Sequence, residues 1–201
     1  MQVERRSNEA RSRETRNALL DAARVLFVER GYADSSTPMI VKRAGTTRGA
    51  LYHHYPDKKA IFRAVLEREA ESVAKAIEAA EGKAEGVTPL ERLLLGANAY
   101  LEAMRVDGRT RLLLVDGHAT LGASEMAEIE GPHARKSLQL GLQELTAGTS
   151  IDEDDLAALC DLLSAMFDQA ALRVARGAPT AQYRHAIHRM LAGLADPCPR
   201  E

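Results

Sequence analysis

Residues 36–59, STPMIVKRAGTTRGALYHHYPDKK, constrain the fold of this chain more than any other stretch. The first part predicts a short helix with Ile40 and Val41 on its inner face, ended by Gly45. A second helix of about eight residues follows the turn. Pro56 stops it, because proline lacks a backbone N–H and disfavours helical geometry at the preceding residue. Two short helices joined by a tight turn with a glycine form a helix-turn-helix.

The exposed face of the second helix carries side chains suited to a polyanion. Arg48, Tyr52 and His53 lie on that face, with His54 beside them. Arginine can pair with guanine O6 and N7, and tyrosine and histidine can donate hydrogen bonds to phosphates. Gly49 lets the backbone approach a duplex closely. The pattern therefore predicts contact with DNA, while a core-facing Tyr52 beside incidental histidines remains an alternative.

Lys58 gives a second indication of DNA contact, because it lies in the first turn of the next predicted helix. A cation at that position opposes the helix dipole. It becomes favourable if a phosphate is bound there jointly by the ammonium and the free backbone N–H groups. Lys58 is therefore predicted to hold a phosphate, and the alternative is a solvated surface lysine.

The charge of the chain is divided unevenly between its two parts. Residues 1–63 carry 13 Lys and Arg against 7 Asp and Glu, whereas the whole chain carries 27 against 29. A basic N-terminal part attached to an acidic remainder indicates that only the first part binds a polyanion.

The remaining sequence predicts an all-α protein of about nine helices, since no segment shows the period-2 alternation of a strand. Residues 1–11 are predicted to form a mobile basic arm, and Gly131–Pro132 to kink or split a helix. The predicted helices run from about 12 to 31, from 37 to 44, from 47 to 55, from 57 to 80, and near 88–105, 108–118, 122–147, 152–176 and 179–195.

The segment AGTTRGALYHHYPDKKAIF, preceded by TRNALLDAARVLFVERGY, resembles the DNA-binding signature of the TetR/AcrR (tetracycline-repressor) family. The resemblance covers about fifty residues. It implies a bacterial transcriptional regulator rather than an enzyme, with a helix-turn-helix head and a helical body that binds a ligand and dimerises. By position, the family's DNA contacts fall on Thr37, Thr47, Arg48, Gly49, Tyr52, His53, His54 and Lys58.

This resemblance also implies a domain division and a set of partners. A DNA-binding domain is expected over 13–73, with its helix-turn-helix at 36–55, and an effector-binding and dimerisation domain over 74–201. The expected partners are a palindromic double-stranded operator, a small-molecule effector of unknown identity and a second copy of the chain, bound through the helices near 152–176 and 179–195. No cofactor, metal or membrane partner is expected, and the expected location is the cytoplasm.

Two polar residues, Asp116 and His118, follow an apolar run in the predicted body. As a buried pair they would have to be hydrogen-bonded and could then line a cavity; the alternative is that both lie at an exposed helix end. Size and position suggest seven residues for a ligand pocket, with core packing as the alternative for each: Tyr100, Met104, Asp116, His118, Met126, Phe167 and Asp168.

Other features give weaker indications. His185 and His188 are spaced to share a metal ion, but a third ligand is not evident, and a solvated face is favoured. The acidic run at 152–155 lacks the glycine and the distal glutamate of a calcium loop. Cys160 is predicted to be a buried thiol and Cys198 an exposed one.

Two further functions stay open. An effector-independent architectural DNA binder would not distinguish a palindrome from a scrambled duplex. A small helical enzyme would use Asp116 and His118 as an acid–base pair, but the sequence has no nucleophile elbow, phosphate loop or metal-ligand set to support it.

Overall fold

A computed structural model describes residues 2–82, 86–130, 134–149 and 151–195. All regular structure in these residues is helical, which confirms the predicted all-α class. The elements are α1 (Gln2–Arg30), α2 (Thr37–Ala44), α3 (Arg48–His54), α4 (Lys58–Glu81), α5 (Pro89–Met104), α6 (Arg109–Arg111), a π-helical segment (Leu112–Gly117), α7 (His118–Leu121), α8 (Ala123–Glu130), α9 (Ala134–Leu145), α10 (Glu153–Ala175) and α11 (Thr180–Ala195).

The predicted start of the first helix is wrong. Helix α1 begins at Gln2, so the predicted arm over 1–11 is helical from its second residue. Its arginines, glutamates and alanine are good helix formers, and extending an existing helix costs little compared with starting one. The helix predicted over 122–147 is present as α8 and α9. Gly131–Pro132 and Cys198 lie outside the described residues.

The head of the molecule consists of α1, α2, α3 and the first half of α4, packed around one apolar centre. Phe27 of α1 and Phe62 of α4 are fully buried, and their rings meet edge to face with centroids 4.9 Å apart. Ile40 of α2 and Leu51 of α3 are also fully buried. Each short helix is therefore fixed by an inward apolar residue.

Helix α4 continues unbroken from the head into the body, which comprises the rest of the described residues. Ile61 and Val65 pack in the head, while Val73 and Ile77 of the same helix reach the body. Because one rigid helix joins both parts, movement in the body can be transmitted to the head through α4.

A buried ion cluster ties α1 to α4 and to the start of α6. Glu69 accepts hydrogen bonds from Arg24 Nε at 2.8 Å and from Arg109 Nε at 2.8 Å. The Glu69 side chain is only 5% exposed and that of Arg109 10%. Burial alone raises the pKa of Glu69, but the hydrogen bonds and charges of Arg24 and Arg109 outweigh it and hold that pKa below its ordinary value.

The loop before α6 approaches α1 closely. Gly108 has a φ of +74°, and a Cβ there would lie 2.4 Å from Val28 Cγ2. Arg111 Nη2 donates to the carbonyl oxygens of Phe27 and Val28 near the end of α1. Only a glycine allows this contact between body and head. No helix in the described part of the chain is long and apolar enough to cross a membrane.

Candidate functional site

Local signals position α3 at the surface of the head. Gly45 takes the left-handed conformation with φ +63° and ends α2. Thr47 then caps α3 by accepting a hydrogen bond from the Ala50 backbone N–H at 3.2 Å. Leu51 anchors the helix in the core, so the opposite side is left exposed.

The exposed face of α3 carries the residues predicted to contact DNA. Arg48, Gly49 and His53 are exposed, and Tyr52 is 51% exposed. The core-facing alternative for Tyr52 is therefore wrong. The hydroxyl groups of Tyr52 and Thr37 lie 3.4 Å apart, which brings the start of α2 onto the same face.

His54 and Tyr55 lie at the edge of this face. The Tyr55 ring is buried, and its hydroxyl accepts a hydrogen bond from Arg16 Nε at 3.2 Å. Partial burial, and then the nearby charges of His53 and Arg16, lower the pKa of His54, which favours the neutral imidazole. The sequence pattern did not single out Arg16, because only the packing of α1 against α3 brings it here.

Lys58 lies beyond the end of α3, in the first turn of α4. Its ammonium donates to the carbonyl oxygens of Tyr32 at 2.9 Å and Ala33 at 3.3 Å, and it lies 4.2 Å from the Tyr32 ring centroid. Lys58 therefore joins α4 to the loop after α1. Phosphate contact by Lys58 stays a prediction.

A cavity of about 480 Å³ lies in the body, within the size range of small-molecule sites. Helices α4, α5, α8, α9 and α10 and the π-helical segment enclose this body cavity. Its wall is mainly apolar, and its lining residues are Ala70, Val73, Ile77, Glu81, Leu93, Gly96, Ala97, Tyr100, Met104, Leu113, Leu114, Ala127, Glu130, Arg135, Ser137, Leu138, Ser164, Phe167 and Asp168.

Four of the seven predicted pocket residues line this cavity: Tyr100, Met104, Phe167 and Asp168. The Tyr100 hydroxyl donates to Asp168 Oδ1 at 2.5 Å. Burial, and then the Asp168 carboxylate, raise the pKa of Tyr100 well above its ordinary value, so the hydroxyl keeps its proton. Ligand binding by these residues stays a prediction.

The other three predicted residues lie outside the lining, and Asp116 and His118 do not form the predicted pair. Asp116 accepts a hydrogen bond from Arg111 Nε at 3.0 Å, and the His118 side chain is 42% exposed. Met126 is fully buried against Gly117 as part of the core. The alternative of an exposed helix end fits His118, while core packing fits Met126.

The sequence interpretation missed Glu81, Glu130, Arg135 and Ser137, which supply further polar groups to the cavity. The Ser137 hydroxyl donates to Glu81. A signal for Glu130 was present, because it lies four residues after the buried Met126 and therefore on the inner face of α8.

Glu130 is the least satisfied of these polar groups. Its Oε1 atom is buried and accepts no hydrogen bond, and the nearest basic atom among the described residues, His118 Nε2, is 3.8 Å away. Burial, and then the charge of Asp168, raise the pKa of Glu130 to about 7.

Ion pairs join α8, which carries Glu130, to the start of α4. Glu125 Oε1 lies 2.5 Å from Lys59 Nζ, and Arg63 reaches both Glu125 at 3.4 Å and Glu128 at 3.0 Å. Lys59 and Arg63 lie in the first two turns of α4, shortly after α3 ends. The same short helix thus lines the cavity and is ion-paired to the first two turns of α4, the helix that follows α3.

Helices α10 and α11 each leave an apolar stripe exposed. Leu162 is 69% exposed, with exposed Ala158 and Ala165 at spacings of four and three residues. On α11, Met190 is 54% exposed, with exposed Ala186 and Gly193 at the same spacings. Each stripe thus exposes one large apolar side chain flanked by two small residues.

At the start of α10, Asp152 caps the helix by accepting from the Asp155 backbone N–H at 2.9 Å. The acidic run therefore suits the positive end of the helix dipole. His185 and His188 are both exposed on α11, and no group of three or more potential metal ligands is present in the described ranges.

A small helical head with an exposed third helix, joined by one long helix to a helical body that contains a cavity, is typical of helix-turn-helix regulators. Comparison with known proteins identifies the family within this class. Residues 19–65 match the family model of bacterial regulatory proteins of the tetR family, and residues 90–197 match the tetracyclin repressor-like C-terminal domain. The chain belongs to the TetR family.

Individual relatives agree with this assignment. A TetR-family transcriptional regulator from Pectobacterium atrosepticum is 33% identical, with a TM-score of 0.71 over 94% of this chain and 98% of that one. The A-factor receptor protein of Streptomyces griseus is 31% identical over 52% of this chain, and the repressor BepR of Brucella suis 44% identical over 31%. These two matches span only 35% and 30% of the relatives' own lengths.

Proposed function

We propose that the protein is a dimeric transcriptional repressor that binds a palindromic operator and releases it when a small molecule occupies the body cavity. The exposed face of α3 is the observation that carries this proposal. Arg48, Tyr52 and His53 are exposed, with His54 half-buried beside them, on a helix that Leu51 anchors in the core. A helix of this kind fits the major groove of B-DNA.

The roles of the individual residues follow from their chemistry. Arg48 lies at the first position of α3, where a side chain can reach a base edge, and bidentate pairing to guanine suits its guanidinium. Thr37, Thr47 and Tyr52 offer hydroxyl groups to phosphates, and Gly49 allows the backbone to come near the duplex. His53 and His54 can donate to phosphates, and His54 in its neutral form can also accept.

The first experiment is selection of binding sequences from a random duplex library with the purified protein. We expect an inverted repeat, because a twofold dimer presents two copies of α3 to the DNA. Binding of the selected duplex is then compared with a scrambled duplex of the same composition by fluorescence anisotropy. An affinity ratio near one would favour a sequence-tolerant architectural binder instead.

Arg48→Ala should reduce discrimination between the selected and scrambled duplexes by about 1–3 kcal/mol per bound guanine. Arg43→Ala provides the matched control, since Arg43 is exposed on α2 but pairs with Glu29 at 3.2 Å. We expect that control to leave the ratio of the two affinities unchanged. Equal loss of affinity for both duplexes in Arg48→Ala would contradict base contact by Arg48.

Lys58→Ala should weaken binding to all sequences alike and reduce the slope of log K against log salt by about one unit, because one phosphate contact is lost. Lys75→Ala removes a charge from the body half of α4, where its partner is Glu71, and should leave the slope unchanged. An unchanged slope in Lys58→Ala would assign this lysine solely to its contacts with the Tyr32 and Ala33 carbonyl oxygens.

Helix α8 supplies the proposed route from cavity to DNA. A ligand that moves Glu130 moves a helix of only eight residues, whose Glu125 and Glu128 hold Lys59 and Arg63. Those two residues lie in the first two turns of α4, the helix that follows α3. A ligand that favours one position of α8 therefore shifts the population towards one orientation of the head.

A further inference from the structure

The polar groups of the body cavity are unevenly charged. Glu81, Glu130 and Asp168 supply three carboxyl groups, against one cation, Arg135. Arg135 pairs with Asp161 at 2.6 Å, and both side chains are largely exposed. The nearest basic atom to Glu130 in the described residues is His118 Nε2, 3.8 Å from Oε1, so the cavity lining carries more carboxyl groups than cations.

Two of the three carboxyl groups already have neutral donors. Glu81 accepts from the Ser137 hydroxyl and Asp168 from the Tyr100 hydroxyl. Glu130 Oε1 has no donor in the described part of the chain although it is buried. An enclosed carboxylate oxygen without a hydrogen bond costs free energy in the empty protein, and a ligand that donates to it recovers that cost.

We propose that the body cavity binds a cationic amphiphile, with its protonated amine directed at Glu130 and Asp168 and its apolar body against the wall formed by α4 and α5. The apolar part of this ligand meets Val73, Ile77 and Ala97, while the amine meets Glu130 Oε1, a fully buried carboxylate oxygen without a hydrogen-bond partner in the described residues. A carboxylate ligand would be repelled, and a neutral alcohol could offer only one weaker donor.

Decylamine, 1-decanol and decanoate are suitable probes, because they share one apolar chain and differ only in the head group. Their binding to the purified full chain is measured by isothermal titration calorimetry at pH 8, below micellar concentrations. A charge-assisted hydrogen bond is worth about 1.5–3 kcal/mol, so decylamine should bind roughly 10- to 100-fold more tightly than 1-decanol. Decanoate should bind most weakly.

Glu130→Gln should remove most of the preference for decylamine over 1-decanol and leave the affinity for 1-decanol nearly unchanged. Glu144→Gln is the matched control, because Glu144 is exposed on α9 outside the cavity and its change of charge is the same. Equal affinity for amine and alcohol in the wild type, or a preference for decanoate, would overturn the proposal. So would an undiminished amine preference in Glu130→Gln.

The affinity for decylamine should also rise between pH 6 and pH 8, because Glu130 loses its proton in this interval while a simple amine keeps its own up to about pH 10. The groups facing Glu130 are Asp168, Tyr100 and His118. His118→Asn removes the imidazole beside Glu130 and should retain the rise in affinity, whereas Glu130→Gln should abolish it. A rise that is lost in His118→Asn but kept in Glu130→Gln would overturn the assignment of the pH dependence to Glu130.

Folding of the variant is checked by thermal unfolding. A carboxyl group whose pKa is raised in the folded state destabilises the fold as pH rises above the unfolded value. Glu130→Gln should therefore be more stable than the wild type at pH 8 and equal to it near pH 4.

This inference depends on the proposed function only in the expectation that ligand binding releases the DNA. Decylamine that binds with the expected preference but leaves the selected duplex bound would support the ligand class and contradict the release of DNA. Release without an amine preference would support the effector role of the cavity and overturn the ligand class.

Discussion

Glu69→Gln should lower the free energy of unfolding by about 3 kcal/mol, since it removes the only carboxylate between two arginines in a buried cluster. Arg109 is only 10% exposed and would lose its ionic partner. For a chain of this length the loss corresponds to a fall in melting temperature of about 6–12 °C, measurable by circular dichroism. Because Arg24 lies on α1, the head should also become less firmly joined to the body.

Glu67→Gln is the matched control for this change. Glu67 lies two residues earlier on α4 and pairs with Arg63 at 3.0 Å, but its side chain is 50% exposed. An exposed pair of this kind contributes at most about 1 kcal/mol. If both variants lost the same small amount of stability, the cluster around Glu69 would not stabilise the fold.

The pH dependence of the two proteins provides an independent check. Since the pKa of Glu69 is held below its unfolded value of 4.5, its stabilisation is fully present above that pH and is lost as pH falls through the folded pKa. The difference in stability between wild type and Glu69→Gln should therefore be constant from pH 6 to 8. It should shrink at pH values below 4.5.

The head could be predicted from the sequence because its signals are local. Gly45 ends α2 and Pro56 follows α3, so both boundaries are encoded within a few residues. The side of α3 that faces outward follows from the inward positions of Leu51 and Tyr55. Arg16 escaped prediction, because its place beside Tyr55 depends on two elements 39 residues apart.

The body cavity could be predicted only in part. Asp116 and His118 were predicted to line a cavity because they follow an apolar run in the sequence. The segment Leu112–Gly117, which contains Asp116 and ends just before His118, is π-helical, and its wider turns depart from the regular helical period. Glu130, by contrast, keeps the spacing of a regular helix from Met126. Its burial beside Asp168 depends on the approach of α10, which no local pattern encodes.

The domain limits were predicted at 13–73 and 74–201. The family-model matches, 19–65 and 90–197, fall within those limits. Helix α4 runs through the proposed boundary without interruption, from Lys58 to Glu81. The boundary stays a prediction, and it falls within a helix that would transmit movement between the two parts.

Leu162→Arg should convert the protein to a monomer and reduce its affinity for the selected palindrome by a factor of about 10²–10⁴. Leu162 is the large residue in the exposed apolar stripe of α10, and a second copy of the chain must cover it in the proposed dimer. An arginine there would bury a charge without a partner, or else keep the two copies apart. A monomer carries only one α3 and binds one half-site of the palindrome at a time. The gain in affinity from bivalent binding is therefore lost.

Light scattering coupled to size-exclusion chromatography gives the oligomeric state, and anisotropy gives the affinity. Leu140→Arg is the matched control, because Leu140 is a leucine 51% exposed on α9, outside both proposed interface helices. That variant should stay dimeric and retain its affinity. A dimeric Leu162→Arg beside a monomeric Leu140→Arg would move the interface to α9. Monomers that bind the palindrome as tightly as the wild type would instead separate dimerisation from operator binding.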